Sequence, residues 1–129
     1  DRAWARCLRE EGLDAFFARW DAQPLFASRR GDRRALRAAH DAQELALAME
    51  TFSQGAMPDH RPRLGDLTMP AIVMAGARDA KFVALAREVV TAMPRARLDI
   101  VPDAGHDLLS ERPHEVARAL DQIQEASRA

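Results

Sequence analysis

The sequence has 129 residues, a length typical of one domain, and 47% of them are hydrophobic, which is enough to bury a core. Its formal net charge of −1 argues against a nucleic-acid-binding surface. The single cysteine, Cys7, excludes an internal disulfide and a cysteine-based zinc site.

No apolar run approaches the roughly 20 residues that span a bilayer, so we expect no membrane segment. Residues 1–4 lack the apolar stretch of a signal peptide, and we therefore expect a cytoplasmic location. The chain begins with Asp1 rather than methionine, which favours a start inside a larger protein or a cleavage.

The first sixty residues have the spacing of helices. A first stripe ends near Pro24, because proline disfavours helix in the residue before it. Asp32 is a predicted cap for a helix over 33–40, and Gly55 is the predicted end of the helix that follows. The apolar residues of the first and third helices are Trp4, Cys7, Leu8, Leu13, Phe16, Phe17 and Trp20, then Leu45, Met49 and Phe52.

The second half changes to a pattern typical of alternating strands and helices. After a proline-rich linker over 56–70 with a short helical turn near 64–67, the run Ala71–Ala75 predicts a strand buried on both faces. A helix over 82–93, a strand at Arg97–Val101 and a helix beginning near Pro113 follow. This βαβα order predicts parallel strands joined by a right-handed crossover. We assign 1–60 to a helical region and 61–129 to a βαβα region.

A parallel sheet of two strands would leave apolar faces and strand edges uncovered. The sequence therefore predicts that these strands have neighbours that it does not contain. We expect the 129 residues alone to fold poorly or to need a chain that supplies the rest of the sheet.

Polar side chains follow both predicted strands. The first strand leads into Gly76-Ala77-Arg78-Asp79 and the second into Pro102-Asp103-Ala104-Gly105-His106. Active sites of open α/β sheets lie beyond the carboxyl ends of the strands, so we expect Asp79 and His106 to meet there. An aspartate bound to one imidazole nitrogen leaves the other nitrogen free to act as a base.

A nucleophile for such a pair is hard to find in these residues. The segment most similar to a G-x-S-x-G elbow is Thr51-Phe52-Ser53-Gln54-Gly55, which lacks the first glycine and a preceding strand. We interpret Ser53 as a residue at the end of a helix, and Ser28 and Ser110 have no better context.

Three stretches, RWDAQPLFAS, GARDAKF and DAGHDLLSERP, carry a resemblance to a known family. They are similar to the C-terminal half of α/β-hydrolases, and within that fold to the 2-succinyl-6-hydroxy-2,4-cyclohexadiene-1-carboxylate synthases of menaquinone biosynthesis. The resemblance runs from about Gly12 to Gln124. It implies a helical cap plus the last two parallel strands and their helices, with the serine elbow and oxyanion hole on an N-terminal half.

The resemblance also implies an activity and residue roles. Such synthases eliminate pyruvate from an enolpyruvyl-bearing cyclohexene carboxylate, with a triad serine as the base and without metal or organic cofactor. Asp79 then corresponds to the triad acid and His106 to the triad histidine. For the carboxylate substrate, the implied contacts are Trp20 and Phe26, with His40 where the family has a cap arginine and Arg37 as a substitute one turn earlier.

Two alternatives stay open at this point. The first is an ester or carbon–carbon bond hydrolase of the same fold, which would have an apolar rather than a polycarboxylate pocket. The second is an inactive fragment or interaction module that lacks the nucleophile. On any of these readings we expect the 129 residues alone to be inactive.

Overall fold

The computed structural model describes residues 1–29, 31 and 33–128, so the predicted cap Asp32 lies outside the described residues. The chain divides into two compact units. We call Asp1–Pro24 with Gly31–Pro58 the helical unit, and Leu25–Arg30 with Asp59–Ala129 the strand unit. The division into cap and core regions at residue 60 stays a prediction, and the structure groups Leu25–Arg30 with the later residues.

The described α-helices of the helical unit are α1 (Arg2–Asp21), α2 (Arg34–Ala38) and α3 (Ala42–Thr51). Helix α1 is broken at Gly12, whose φ of +84° lies in the left-handed region that favours glycine. Helix α3 begins at a side-chain cap, because Asp41 accepts hydrogen bonds from the backbone N–H groups of Gln43 and Glu44 at 2.8 and 3.0 Å.

The helical unit has an aromatic and aliphatic core between α1 and α3. Phe16 and Leu8 are the largest side chains that are fully buried. The ring of Trp4 meets that of Phe16 edge-on at 5.7 Å. Phe52 departs from the predicted stripe: α3 ends one residue before it, and its side chain is 71% exposed. The helix therefore ends earlier than Gly55, the predicted terminator.

The strand unit follows the predicted βαβα order. It contains the 3₁₀ helix Arg61–Asp66, β1 (Ala71–Gly76), α4 (Ala80–Ala92), β2 (Ala96–Val101), α5 (Leu108–Glu111) and α6 (Pro113–Arg128). A further 3₁₀ helix, Pro24–Phe26, leads into it. Strands β1 and β2 are parallel, with Ala71 opposite Ala96 and Gly76 opposite Val101. The short α5 has no counterpart in the sequence prediction.

Burial in this sheet is incomplete. Residues Ala71–Met74 of β1 are half-buried, and full burial is reached only at the carboxyl ends, at Ala75, Gly76 and Val101. The predicted burial of β1 on both faces is therefore not realised along its length, because the described residues form a sheet of only two strands. None of the described helices is both long and apolar enough to cross a membrane.

Candidate active site

Asp79 stands at the junction between β1 and α4, where its carboxylate has two structural contacts. Oδ1 accepts a hydrogen bond from the backbone N–H of Phe82 at 3.2 Å and so caps the start of α4. Oδ2 lies 2.8 Å from Nδ1 of His106. Because the helix cap fixes one oxygen and the side chain is only 8% exposed, the other oxygen is held toward the imidazole.

His106 lies on the turn that follows β2, and the predicted contact with Asp79 is present. An ionised carboxylate only accepts hydrogen bonds, so Nδ1 is the nitrogen that carries the proton in this pair. This leaves Nε2 of the neutral ring as an acceptor. The side chain is 31% exposed, which makes Nε2 a candidate general base.

The two turns that carry Asp79 and His106 are bonded to each other through the backbone. The N–H groups of Ala77 and Arg78 donate to the carbonyls of Val101 and Ala104, both at 2.9 Å. A Cβ on Gly76 would collide with the backbone carbonyls of Ala104 and Gly105. Glycine at position 76 therefore allows the close approach that brings the two side chains together.

Aromatic rings surround the imidazole within the strand unit. The ring of Phe82 lies 4.5 Å from that of His106, and the ring of Phe26 lies 6.1 Å away. The Arg29 guanidinium stacks over Phe26 at 3.8 Å, and its Nε donates to Asp107 at 2.9 Å. The sequence predicted Phe26 as a pocket residue, whereas Phe82 and Arg29 were not singled out. Phe82 could have been found from the sequence, since it is the last residue of the GARDAKF stretch that resembles the family.

Glu111 connects the turn before His106 to the stretch around Ser28. Its Oε2 accepts the backbone N–H of Gly105 at 2.8 Å, and its Oε1 accepts the Ser28 hydroxyl at 2.9 Å. Ser28 and Glu111 lie in two of the stretches that carry the family resemblance, but no positioning role was predicted for either. A neighbouring cavity of about 450 Å³ is lined by Ala27, Ser28, Arg29, Arg78, Asp103, Glu111 and Arg112.

The hydroxyls considered as nucleophiles donate to carboxylates. Ser28 donates to Glu111, Ser53 to Asp1 at 2.6 Å, and Ser110 to Asp107 at 3.0 Å. Ser53 lies two residues after the end of α3, close to the helix-end position that the sequence predicts. The pair of Asp79 and His106 thus has the arrangement of a triad acid and base, and none of these three hydroxyls donates to the imidazole.

The three remaining predicted site residues lie in the helical unit. Trp20 packs into the aromatic core, with its ring stacked on Phe16 at 5.4 Å. Arg37 binds Asp21 through both terminal nitrogens at 2.6 and 2.7 Å and lies over the Phe17 ring at 4.5 Å. His40 is exposed, with its ring 6.5 Å from that of Phe17. Substrate contact by these residues stays a prediction.

Arg37 also lines a second cavity of about 450 Å³, together with Leu13, Asp14, Phe17, Ala18, Asp21 and Ala38. Over residues 1–29, 31 and 33–128, no three histidine, cysteine, aspartate or glutamate side chains are grouped so that they could hold a metal ion.

Comparisons with known proteins identify relatives and a solved structure of which this chain covers about half. No protein-family model matches the chain. Proteins from Escherichia coli O1:K1 and Shigella flexneri serotype 5b, both named 2-succinyl-6-hydroxy-2,4-cyclohexadiene-1-carboxylate synthase, are 39% identical to it over 127 residues. The alignments cover 95% of this chain and 48% of each relative. The chain therefore spans about half the length of the curated relatives that it matches.

A solved structure, described as MenH from S. aureus, superposes on 99% of the chain with a TM-score of 0.91 at 24% sequence identity. This chain covers 51% of that structure. The predicted fold class, the C-terminal portion of an α/β-hydrolase fold, is thereby confirmed. The resemblance to the synthases over the C-terminal half is confirmed as well.

Proposed function

We propose that this chain, a relative of the C-terminal half of the 2-succinyl-6-hydroxy-2,4-cyclohexadiene-1-carboxylate synthases, is the acid- and base-bearing part of such a lyase. The observation that carries the proposal is the 2.8 Å contact between Asp79 and His106, at the carboxyl ends of two parallel strands. The reaction is the elimination of pyruvate from an enolpyruvyl-bearing cyclohexene carboxylate, a step of menaquinone synthesis.

In this mechanism His106 moves one proton and Asp79 holds the ring that moves it. A serine on the N-terminal half gives its proton to Nε2, and Asp79 stabilises the resulting imidazolium through Nδ1. The serine oxygen then removes a proton from a ring carbon of the substrate. The electron pair of that C–H bond forms a new double bond as the C–O bond to the enolpyruvyl group breaks.

The proton balance closes without a further reactant. The departing enolpyruvate takes a proton from the imidazolium and tautomerises to pyruvate. The serine regains its hydroxyl with the proton from the ring carbon, so both the serine and His106 return to their starting states. In this proposal the rings of Phe82 and Phe26 beside the imidazole reduce its contact with water during the transfer.

Four residues are proposed to contact the substrate: Trp20, Phe26, Arg37 and His40. Substrate contact is best supported for Arg37, because a guanidinium binds a carboxylate through two parallel hydrogen bonds. Arg37 already binds the Asp21 carboxylate in this way. A substrate carboxylate would take the place of the Asp21 side chain or share the guanidinium with it. The proposed substrate is therefore a small anion. We also propose a cytoplasmic location for the protein.

A full-length chimera tests the proposal. It joins this chain to the N-terminal half of the Escherichia coli O1:K1 relative, and the intact relative serves as the positive control. We expect pyruvate release from the menaquinone intermediate, followed with lactate dehydrogenase, and little hydrolysis of nitrophenyl esters. A cooperative unfolding transition of the chimera checks that it is folded.

Two results would replace this proposal. Rapid ester hydrolysis without pyruvate formation would assign the chain to a hydrolase of the same fold. A folded chimera that turns over neither substrate would favour the inactive fragment or interaction module.

A further inference from the structure

We propose that Glu111 is a positioning residue for His106, acting through a clamp formed by its carboxylate, the Gly105 backbone N–H and the Ser28 hydroxyl. The inference rests on the proposed catalytic role of His106. Gly105 immediately precedes His106 in the chain, so the 2.8 Å bond from its N–H to Oε2 fixes the turn that carries the imidazole.

The second bond of the clamp, from Ser28 to Glu111, positions an aromatic side chain beside His106. The 2.9 Å bond from the Ser28 hydroxyl to Oε1 joins segments that are 83 residues apart in sequence. Phe26 lies two residues before Ser28, and its ring stands 6.1 Å from the imidazole. One carboxylate thus places both the base and an aromatic ring beside it.

The chemistry of the clamp favours a rigid arrangement. An ionised carboxylate forms shorter and stronger hydrogen bonds than a neutral acceptor does, and both bonds are partly buried. The backbone of Glu111 is itself anchored, since its N–H donates to the Asp107 carbonyl at 2.9 Å.

The turn that precedes His106 needs such support. Asp103 has φ of +55°, a left-handed conformation that residues other than glycine seldom adopt. Arg112, next to Glu111, donates to the Asp103 carbonyl at 2.9 Å. Bonds from two neighbouring residues therefore hold the backbone on which the imidazole depends.

The clamp also explains why glycine stands directly before the histidine. A Cβ at position 105 would lie 3.1 Å from Oε1 of Glu111 and 3.3 Å from the Ser28 Cβ, and closer still to the Ser28 hydroxyl. A side chain at position 105 is therefore excluded by steric overlap with Ser28 and Glu111, and the clamp forms only with glycine there.

The test compares four variants of the full-length chimera. Glu111→Ala removes both arms, Ser28→Ala removes one, and Glu111→Gln keeps an acceptor for Gly105 and a donor for Ser28 without the charge. Glu115→Ala is the matched control, because this carboxylate lies four residues further on, in α6, and pairs with Arg118 at 2.7 Å. The kcat, the KM and the low-field proton NMR signal of the His106 Nδ1–H are measured for each variant.

We expect Glu111→Ala to lower kcat by about 100-fold with little change in KM, the cost of misplacing a catalytic group by about 1 Å. Its Nδ1–H signal should broaden or disappear. Ser28→Ala should show a smaller loss of kcat, and Glu111→Gln should recover most of the kcat and the signal. Glu115→Ala should match the unsubstituted chimera in all three measurements.

Equal kcat and an equal NMR signal in Glu111→Ala and Glu115→Ala would overturn the proposal. If Glu111→Ala does not fold, Ser28→Ala decides: a loss of thermal stability with unchanged kcat and signal would show a purely structural role. The kcat ratios are measured with whichever substrate the chimera turns over, and the NMR signal is recorded on the protein itself. Failure of the pyruvate-release assay alone would therefore contradict the proposed function and not the clamp.

Discussion

Phe16 and Leu8 in the helical unit are each about 1% exposed, whereas the largest buried side chains of the strand unit are Phe26 and Val101 at 9% and 2%. The helical unit is stabilised by large side chains packed between α1 and α3. Apart from Phe26, the buried hydrophobic residues of the strand unit are alanine and valine, and hydrogen bonds join its turns, from Arg78 to Ala104 and from Gly105 to Glu111. Directional bonds, rather than bulky packing, fix the positions of the side chains proposed for chemistry.

The partial burial of the strand unit agrees with the length comparison. A chain that spans about half of its relatives leaves β1 and β2 as the only two strands of the described sheet. The N-terminal half of the relatives would supply further neighbours. The helical unit, in contrast, buries its two largest core residues with its own helices.

The largest expected effect is the loss of turnover when His106 of the strand unit is replaced. In the full-length chimera, His106→Ala should lower turnover by at least about 1000-fold, because loss of a triad base removes the proton acceptor. His114→Ala, an exposed histidine in the same unit, is the control and should leave turnover unchanged. Equal pyruvate release by the two variants would end the assignment of His106.

Removing the centre of the helical core tests the packing side of the comparison. Phe16→Ala should lower the free energy of unfolding by about 3–5 kcal/mol, since it deletes a buried ring with aromatic neighbours. Phe52→Ala, at a side chain that is 71% exposed, should change it by less than about 0.5 kcal/mol. Urea unfolding of the chimera gives both values, and similar losses would contradict the described core.

A methyl group at the tightest backbone approach tests the bonded turns of the strand unit. Gly76→Ala should cost about 1–3 kcal/mol, because the new Cβ meets backbone carbonyls that cannot move aside freely. The same change at Gly65, where a Cβ lies 3.8 Å from the Ala92 carbonyl oxygen, should be tolerated. Thermal unfolding of the two variants distinguishes them, and an unaffected Gly76→Ala would show that the turns are not held this closely.

The cap of α3 provides a smaller effect within the helical unit. Asp41→Ala should destabilise the protein by about 1 kcal/mol, because two backbone N–H groups lose their side-chain acceptor. Asp41→Asn keeps that acceptor and should cost only a fraction as much. Urea midpoints measure both, and a full loss in the asparagine variant would point to charge rather than capping.

The smallest effect concerns an exposed ion pair of the strand unit. Side-chain and backbone hydrogen bonds from Arg61 lower the pKa of Asp59 from 3.8 to about 2. Since the pKa is depressed in the folded state, the associated stabilisation is present above the unfolded pKa and is lost as the pH falls through about 2. It should be slight, because both side chains are more than half exposed. Arg61→Ala should return the pKa toward 3.8 in an NMR titration, and an unchanged pKa would contradict the contact.

Much of the fold could be predicted from local patterns. The change of apolar spacing near Pro70 predicted where helices give way to strands, and the observed β1 and β2 begin within one residue of the predicted positions. Asp79 and His106 could be predicted because connectivity alone places the ends of adjacent parallel strands at one edge of the sheet. The break at Gly12 and the early end of α3 before Phe52 were missed, since propensity fixes helix ends poorly.

The sequence by itself determined the order of the strands and the longer helices, the parallel pairing and the pair of side chains at the strand ends. These depend on periodicity and chain connectivity, which are local properties. Only the tertiary structure decided that Glu111 binds both Gly105 and Ser28, and that Asp79 divides its two oxygens between a helix cap and an imidazole. Such choices depend on which polar groups the folded turns bring within about 3 Å of each other, and hydrogen bonds form only at that range.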